Sequence, residues 1–168
     1  MKKISLLTVV FIFLGVNAQT IHITPVPVKA VLQKGTFTIS PNTVLVLNDD
    51  AEKASAEFFN SYLNSVYGFE LQTGKSASAN YIRFVTRRFI QAPENPGKYS
   101  LTVNTTGVDI EGDSYQGTFY GLQSLIQLLP VTKTEALNLP CVTVEDQPRF
   151  EYRGMHLDVC RHIFPVEF

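Results

Sequence analysis

Residues Tyr99–Pro130, YSLTVNTTGVDIEGDSYQGTFYGLQSLIQLLP, carry two different periodicities on either side of one cap. Tyr99, Leu101 and Val103 alternate with Ser100, Thr102 and Asn104. After Thr105-Thr106-Gly107 the alternation resumes, Val108 and Ile110 against Asp109 and Glu111. A period of two on both sides of a glycine turn predicts a half-buried β-hairpin. From Tyr115 the apolar residues step by four and three instead: Tyr115, Phe119, Leu122, Ile126, Leu129. That stripe predicts an amphipathic helix, capped by Asp113-Ser114 and stopped at Pro130. Gly117 and Gly121 lie on this helix, and each is unfavourable by about 1 kcal/mol relative to alanine. They predict a small face packed closely on another element. A phosphate-cradling loop would need a strand–turn–helix glycine cluster, which this stretch lacks.

Upstream, Val28–Leu32, Thr36–Ser40 and Thr43–Leu47 read as strands, with Gly35 as a turn between the first two. Asn48-Asp49-Asp50 interrupts them, and Asp49 with Glu52 has the spacing of a capping box at the positive end of a helix. Ala51, Ala54, Phe58, Tyr62 and Val66 form the expected apolar stripe of that helix, and Gly68 fits its left-handed stop. Glu70–Thr73 and Tyr81–Thr86 are short strands flanking a Gly/Ser/Ala loop at Thr73–Asn80. Gln91–Gly97 is a second loop, and Leu139–Val144 is a further strand. Strands and a hairpin mixed with two amphipathic helices predict an α+β domain: a mostly antiparallel sheet with both helices on one face. The pattern breaks at Asp146-Gln147-Pro148, after which Arg153–Val159 reads as a new strand ending at Arg161-His162. The expected organisation is thus a leader at 1–18, an α+β domain at 19–146, and a linker with one further strand at 147–168.

The leader rests on Lys2 and Lys3, an apolar run from Ile4 to Val16 broken at Ser5, Thr8 and Gly15, and the small-residue site Val16-Asn17-Ala18. As an uncleaved anchor, that run would cover only about 20 Å of a hydrocarbon core about 30 Å thick. Cleavage after Ala18 and export to the periplasm, outer surface or medium are the expectation, with no membrane span afterwards. Without residues 1–18 the chain keeps 12 of its 14 basic side chains and all 15 acidic ones, a net charge of −3. Nucleic-acid binding demands a basic face, so that class is set aside.

Cys141 and Cys160 are an even pair in an exported chain, which permits a disulfide. Both sit in strand-like runs where a buried thiol behaves as a small apolar residue, and free thiols are the expectation. His156, Asp158, Cys160 and His162 alternate as metal ligands might. Residues six apart on a strand are about 20 Å apart, whereas zinc ligands converge at about 2 Å from the ion. No metal or cofactor is expected. Glu145-Asp146 reads as solvated or structural, His22 as a solvated side chain, and Asn104-Thr105-Thr106 as a sequon on a turn.

Arg153-Gly154-Met155-His156-Leu157-Asp158-Val159-Cys160-Arg161-His162 resembles the RG-x-x-LD-x-x-RH opening of the catalytic barrel in family 20 glycoside hydrolases, the β-N-acetylhexosaminidases. Gly117-Thr118-Phe119-Tyr120-Gly121-Leu122-Gln123-Ser124-Leu125 is similar to the G-x-FYGLQ-x-L helix of that family's N-terminal domain. Pro25 and Gly35 before Thr36-Phe37 match its opening. The helix motif is the less specific of the two, since similar accessory domains occur in α-glucuronidases and family 84 hexosaminidases.

The resemblance implies an accessory domain followed by the truncated start of a (β/α)8 barrel, whose sites lie at the C-terminal strand ends. Arg161 stands at such an end, and by resemblance it hydrogen-bonds hydroxyls of the terminal sugar with a planar fork that lysine lacks. Asp158 and His162 are expected to support it. The implied chemistry is substrate-assisted retaining hydrolysis, in which the acetamido oxygen of an N-acetylhexosamine attacks the anomeric carbon. In the family an adjacent Asp-Glu pair assists, and no such pair occurs in these 168 residues, so no catalytic residue is assigned. Two alternatives stay open: a non-catalytic carbohydrate-binding or scaffolding module, and the accessory domain of another glycosidase family.

Overall fold

The computed structural model describes residues 21–87, 96–134, 136–150, 152–156 and 165. The elements in chain order are β1 (Lys29–Ile39), β2 (Val44–Leu47), a 3-10 turn (Asp50–Glu52), α1 (Lys53–Tyr67), β3 (Gln72–Gly74) and β4 (Tyr81–Thr86). There follow β5 (Tyr99–Val103), β6 (Gly107–Gly112), α2 (Tyr115–Leu128) and β7 (Leu137–Asp146). The strands form one seven-stranded sheet in the order β1-β7-β5-β6-β4-β2-β3.

The sheet is half parallel, which corrects the expectation of a mostly antiparallel one. β1-β7, β7-β5 and β5-β6 are antiparallel, whereas β6-β4, β4-β2 and β2-β3 are parallel. The hairpin is where the alternation places it, with Leu101 opposite Ile110 and Val103 opposite Val108. The parallel neighbours β2 and β3, however, are connected through α1, and the parallel neighbours β4 and β6 have β5 between them in the chain. Crossovers of this length allow parallel pairing, which a two-residue turn cannot.

A second correction concerns Gly35. It does not reverse the chain but sits inside one continuous strand, β1, whose pairing with β7 slips between Leu32 and Thr36. Leu32 faces Val142 and Thr36 faces Pro140, so β1 uses four steps where β7 uses two. The left-handed φ of +114° at Gly35 absorbs this bulge. A β-carbon there would also approach Thr105 Cγ2 to 2.8 Å. On β7 the buried positions change phase at the same place, from Leu137 and Leu139 to Val142 and Val144. Cys141 lies between them as a buried free thiol, whereas Cys160 is outside the described residues.

One core joins the inward faces of the strands to both helices, including Leu45, Ile82, Phe84, Leu101, Ile110 and Val144. The opposite face carries Arg83, Thr102, Asp109, Glu111 and Thr143, all half-buried. Both helices therefore cover one face, as the sequence predicts.

The capping box forms as spaced, with Asp49 Oδ1 accepting from Ala51 N–H at 2.9 Å and Glu52 Oε2 accepting from Asp49 N–H at 3.1 Å. Gly68 ends α1 in the left-handed conformation, φ 83°. The buried face of α1 is turned from the expected one: Ser55, Ala56, Phe59, Leu63 and Tyr67 point inward, while Phe58 is 44 % exposed and Tyr62 and Val66 are partly covered. The inward face begins with two polar residues, Glu52 and Ser55, so an apolar count selects the neighbouring stripe. Phe58 instead meets Phe119 of α2 edge-on, ring centroids 5.3 Å apart.

On α2, Ser114 caps the helix by accepting from Gly117 N–H at 3.2 Å. The buried residues are Gly117, Thr118, Gly121, Leu122, Ser124 and Leu125, so the small face lies on the sheet and Tyr115, Phe119 and Ile126 flank it. A β-carbon on Gly117 would stand 2.3 Å from the Lys98 carbonyl oxygen, and one on Gly121 2.6 Å from Ile110 Cγ2. Close packing is the reason for both glycines.

Three outcomes follow for stability. Phe59→Ala should destabilise by about 3–5 kcal/mol in urea unfolding, whereas Phe58→Ala should lose no more than about 1.5 kcal/mol. The reverse order would restore the apolar stripe as the inward face. Gly117→Ala should be destabilising by about 1–3 kcal/mol despite alanine's better helix propensity, because the methyl has nowhere to go. Burial, with Tyr62 adding to it, pushes the Tyr67 phenol up from 10.0 to about 12, and its hydroxyl donates to the Pro130 carbonyl. The fold thus holds the proton more tightly than the unfolded chain, and this stabilisation is full below pH 10 and lost as pH rises toward about 12. Tyr67→Phe should flatten the alkaline fall in unfolding free energy over that window.

Candidate functional site

The chain enters and leaves this domain at one place. Ile23–Val26 before β1 and Gln147–Phe150 after β7 line the same cavity, closed on its third side by Tyr120, Gln123 and Gln127 of α2. Its volume is about 360 Å³. Gln127 holds the entering strand at both backbone groups, accepting from Thr24 N–H at 2.8 Å and donating to Thr24 O at 3.1 Å. Arg149 Nη2 donates to Val26 O at 2.9 Å, tying exit to entry.

Glu145 and Asp146, read from the sequence as solvated or structural, belong to the same seam. Lys29 Nζ pairs with Glu145 Oε1 at 2.9 Å, and Asp146 Oδ1 accepts from Val28 N–H at 3.1 Å. At the cavity's inner wall, Tyr99 Oη and Ser124 Oγ of two buried side chains lie 2.6 Å apart. Burial raises the Tyr99 phenol above its ordinary value, the Ser124 hydrogen bond acts the other way, and the Asp146 carboxylate adds to the rise. The volume is at the small end of ligand sites. Among the described residues its one lining carboxylate, Asp146, is engaged by the Val28 N–H, so they offer no free acid–base pair of the kind hydrolysis requires.

Arg153, which also lines the cavity, reaches back to α2. Its Nη2 donates to Tyr120 Oη at 2.9 Å, and its guanidinium carbon sits 5.1 Å from the centre of the Tyr120 ring. Nothing in the sequence pairs these two residues, which stand 33 positions apart. Residues 152–156 join no strand of the sheet, and His156 is exposed. Asp158, Cys160, Arg161 and His162 lie outside the described residues, as does the stretch 1–18 expected to be a leader.

The open face of the sheet has its own charged cluster. Arg83 stacks over the Tyr81 ring at 4.3 Å, and both side chains donate to the Asp109 carboxylate, at 3.2 and 3.1 Å. Arg83 also donates to Ala77 O at 3.1 Å, so the cluster pins the loop before β4. Asn104, in the sequon, accepts from Thr106 and Gly107 N–H with its side-chain oxygen and so builds the hairpin turn. Among the described residues no three His, Cys, Asp or Glu side chains gather as a metal group, and no helix is long and apolar enough to cross a membrane.

The β-hexosaminidase of Porphyromonas gingivalis is 33 % identical over 155 residues, covering 88 % of this chain and 20 % of that protein. The β-hexosaminidase of Vibrio vulnificus is 31 % identical over 154 residues, covering 92 % and 17 %. This chain therefore spans about a fifth of the length of these relatives. The fold superposes on the family 20 exo-β-N-acetylglucosaminidase of Vibrio harveyi, solved with N-acetylglucosamine, at a TM-score of 0.71 and 27 % identity, covering 85 % of this chain and 21 % of that one. A family profile described as glycosyl hydrolase family 20, domain 2, matches residues 20–147, the sheet and helices above. The chain belongs to glycosyl hydrolase family 20, with its α+β unit as that family's domain 2.

Proposed function

We propose that this chain is the N-terminal portion of an exported β-N-acetylhexosaminidase that removes terminal N-acetylhexosamine from glycans by substrate-assisted retaining hydrolysis. The observation that carries the reading is the order of parts: a family 20 domain 2 over residues 20–147, followed at once by the RG-x-x-LD-x-x-RH run of residues 153–162. Export is supported by the Lys2-Lys3 start, the apolar run and the small residues around Ala18.

In this reading the domain is structural and the chemistry belongs to the barrel that residues 153–162 open. Arg161 grips two neighbouring hydroxyls of the terminal sugar, with Asp158 and His162 supporting it. The substrate's acetamido oxygen attacks the anomeric carbon, a Glu protonates the departing oxygen, and a neighbouring Asp orients the acetamido group. That Asp-Glu pair is absent from the 168 residues.

The test is turnover of an aryl N-acetylglucosaminide. These 168 residues alone should show none, while a polypeptide extended through the barrel should hydrolyse the substrate. In the extended polypeptide Arg161→Lys should lower kcat/KM by at least about tenfold, since hydrogen bonds from a charged group contribute about 1.5–3 kcal/mol each. Turnover by the 168-residue chain, in preparations free of host enzymes, would contradict the mechanism. Wild-type kinetics in the lysine variant would reduce Arg161 to a structural role.

A further inference from the structure

We propose that Tyr120 and Arg153 form a latch that fixes how the chain leaves the α+β domain, making Tyr120 a positioning residue for Arg161. The inference rests on the hexosaminidase reading above for the role of Arg161, and on the geometry of the domain for the latch itself.

Residues 149, 150 and 152–156 are exposed rather than held by burial. Phe150, Tyr152 and Met155 are 70 %, 88 % and 89 % exposed, so apolar contact does little to keep them on the domain. What holds these residues is polar. Arg149 donates to Val26 O, and four residues later Arg153 donates to Tyr120 Oη at 2.9 Å while lying 5.1 Å from that ring's centre. A guanidinium can make both contacts with one aromatic side chain, one N–H to the hydroxyl and a cation–π contact with the ring.

The Tyr120 ring is in turn fixed. It stands against Gly97, whose φ is +127°, and a β-carbon on Gly97 would lie 2.8 Å from both Tyr120 Cε2 and Pro148 Cγ. Gly97 itself is anchored by its N–H to Asp113 Oδ1 at 2.9 Å, beside the cap of α2. The latch is thus attached to α2 through a half-buried side chain that flanks the sheet-facing Gly117 and Gly121. Arg153 opens the ten-residue motif and Arg161 stands eight positions further on. Fixing the first arginine sets where that run begins relative to the domain, and small displacements of a sugar-binding side chain have large kinetic effects.

Trypsin reports on the latch directly, because it must take the Arg153 side chain into its own pocket to cut before Gly154. Cleavage after Lys133, on an exposed loop, serves as the internal reference. In the 168-residue chain Tyr120→Phe, which keeps the ring and removes the hydroxyl, should raise the ratio of Arg153 to Lys133 cleavage about tenfold, as expected for loss of a charged hydrogen bond. In the polypeptide extended through the barrel, the same substitution should lower kcat/KM at least about threefold without moving the Tm of the α+β domain. An unchanged cleavage ratio overturns the latch. A raised ratio with wild-type kinetics overturns the positioning role. If the extended wild-type polypeptide does not turn over the glycoside at all, the hexosaminidase reading falls and the positioning role with it, while the cleavage ratio still decides whether the latch exists.

Discussion

The closeness of α2 to the β5-β6 hairpin is the constraint on which the rest of this domain depends. Three glycines remove the usual side-chain layer between helix and sheet. A β-carbon on Gly112 would stand 2.1 Å from Thr118 N, and Gly117 and Gly121 are equally closed to one. With the backbones in contact, Thr118 Oγ1 comes within 2.8 Å of Thr86 Oγ1 on the end of β4, and Ser124 Oγ meets Tyr99 Oη on β5. Buried hydroxyls are unfavourable unless paired, and here each pairs across the helix–sheet seam. Leu122 and Leu125 then fill the remaining space against the hairpin.

The first helix is attached by a different device. Glu52 is fully buried, and its carboxyl group accepts from Asn48 and Asp49 N–H and, through the other oxygen, from Thr86 N–H at 2.7 Å. One side chain thus joins the end of β2, the start of α1 and the end of β4. Because β2 and β4 run parallel, both finish at the same edge, where a single carboxyl can reach them. From the middle of α1, Asn60 holds Leu71 by donating to its carbonyl and accepting from its N–H, at 2.9 Å each, and directs the chain into β3.

What the sequence made legible was local. The Asp49/Glu52 cap, the Gly68 stop, the hairpin turn and the Ser114 cap each depend on residues within five positions of one another, and each is present. The parallel half of the sheet was not legible, because the direction of pairing is decided by crossovers rather than by strand composition. Nor was the inward face of α1, since a long-range partner, Thr86 N–H, makes Glu52 a core residue. Gly35 was visible as a break, but a bulge and a turn share that signal. At the candidate site the two motifs stood out separately. Their physical connection, Arg153 on Tyr120, appears only when the chain is folded. The motif's later positions, Asp158, Arg161 and His162, rest on the sequence.

The most direct measurement of this account is native-state amide hydrogen exchange across α2 and the strands it lies on. If the glycine seam locks helix to sheet, the amides of Leu122 and Leu125 should exchange only through the same global opening as those of Leu101, Ile110 and Val144, with one shared free energy and one shared denaturant dependence. Exchange of the α2 amides through a smaller, denaturant-insensitive opening, while the strands stay protected, would show that the helix is not locked to the sheet and would contradict the account.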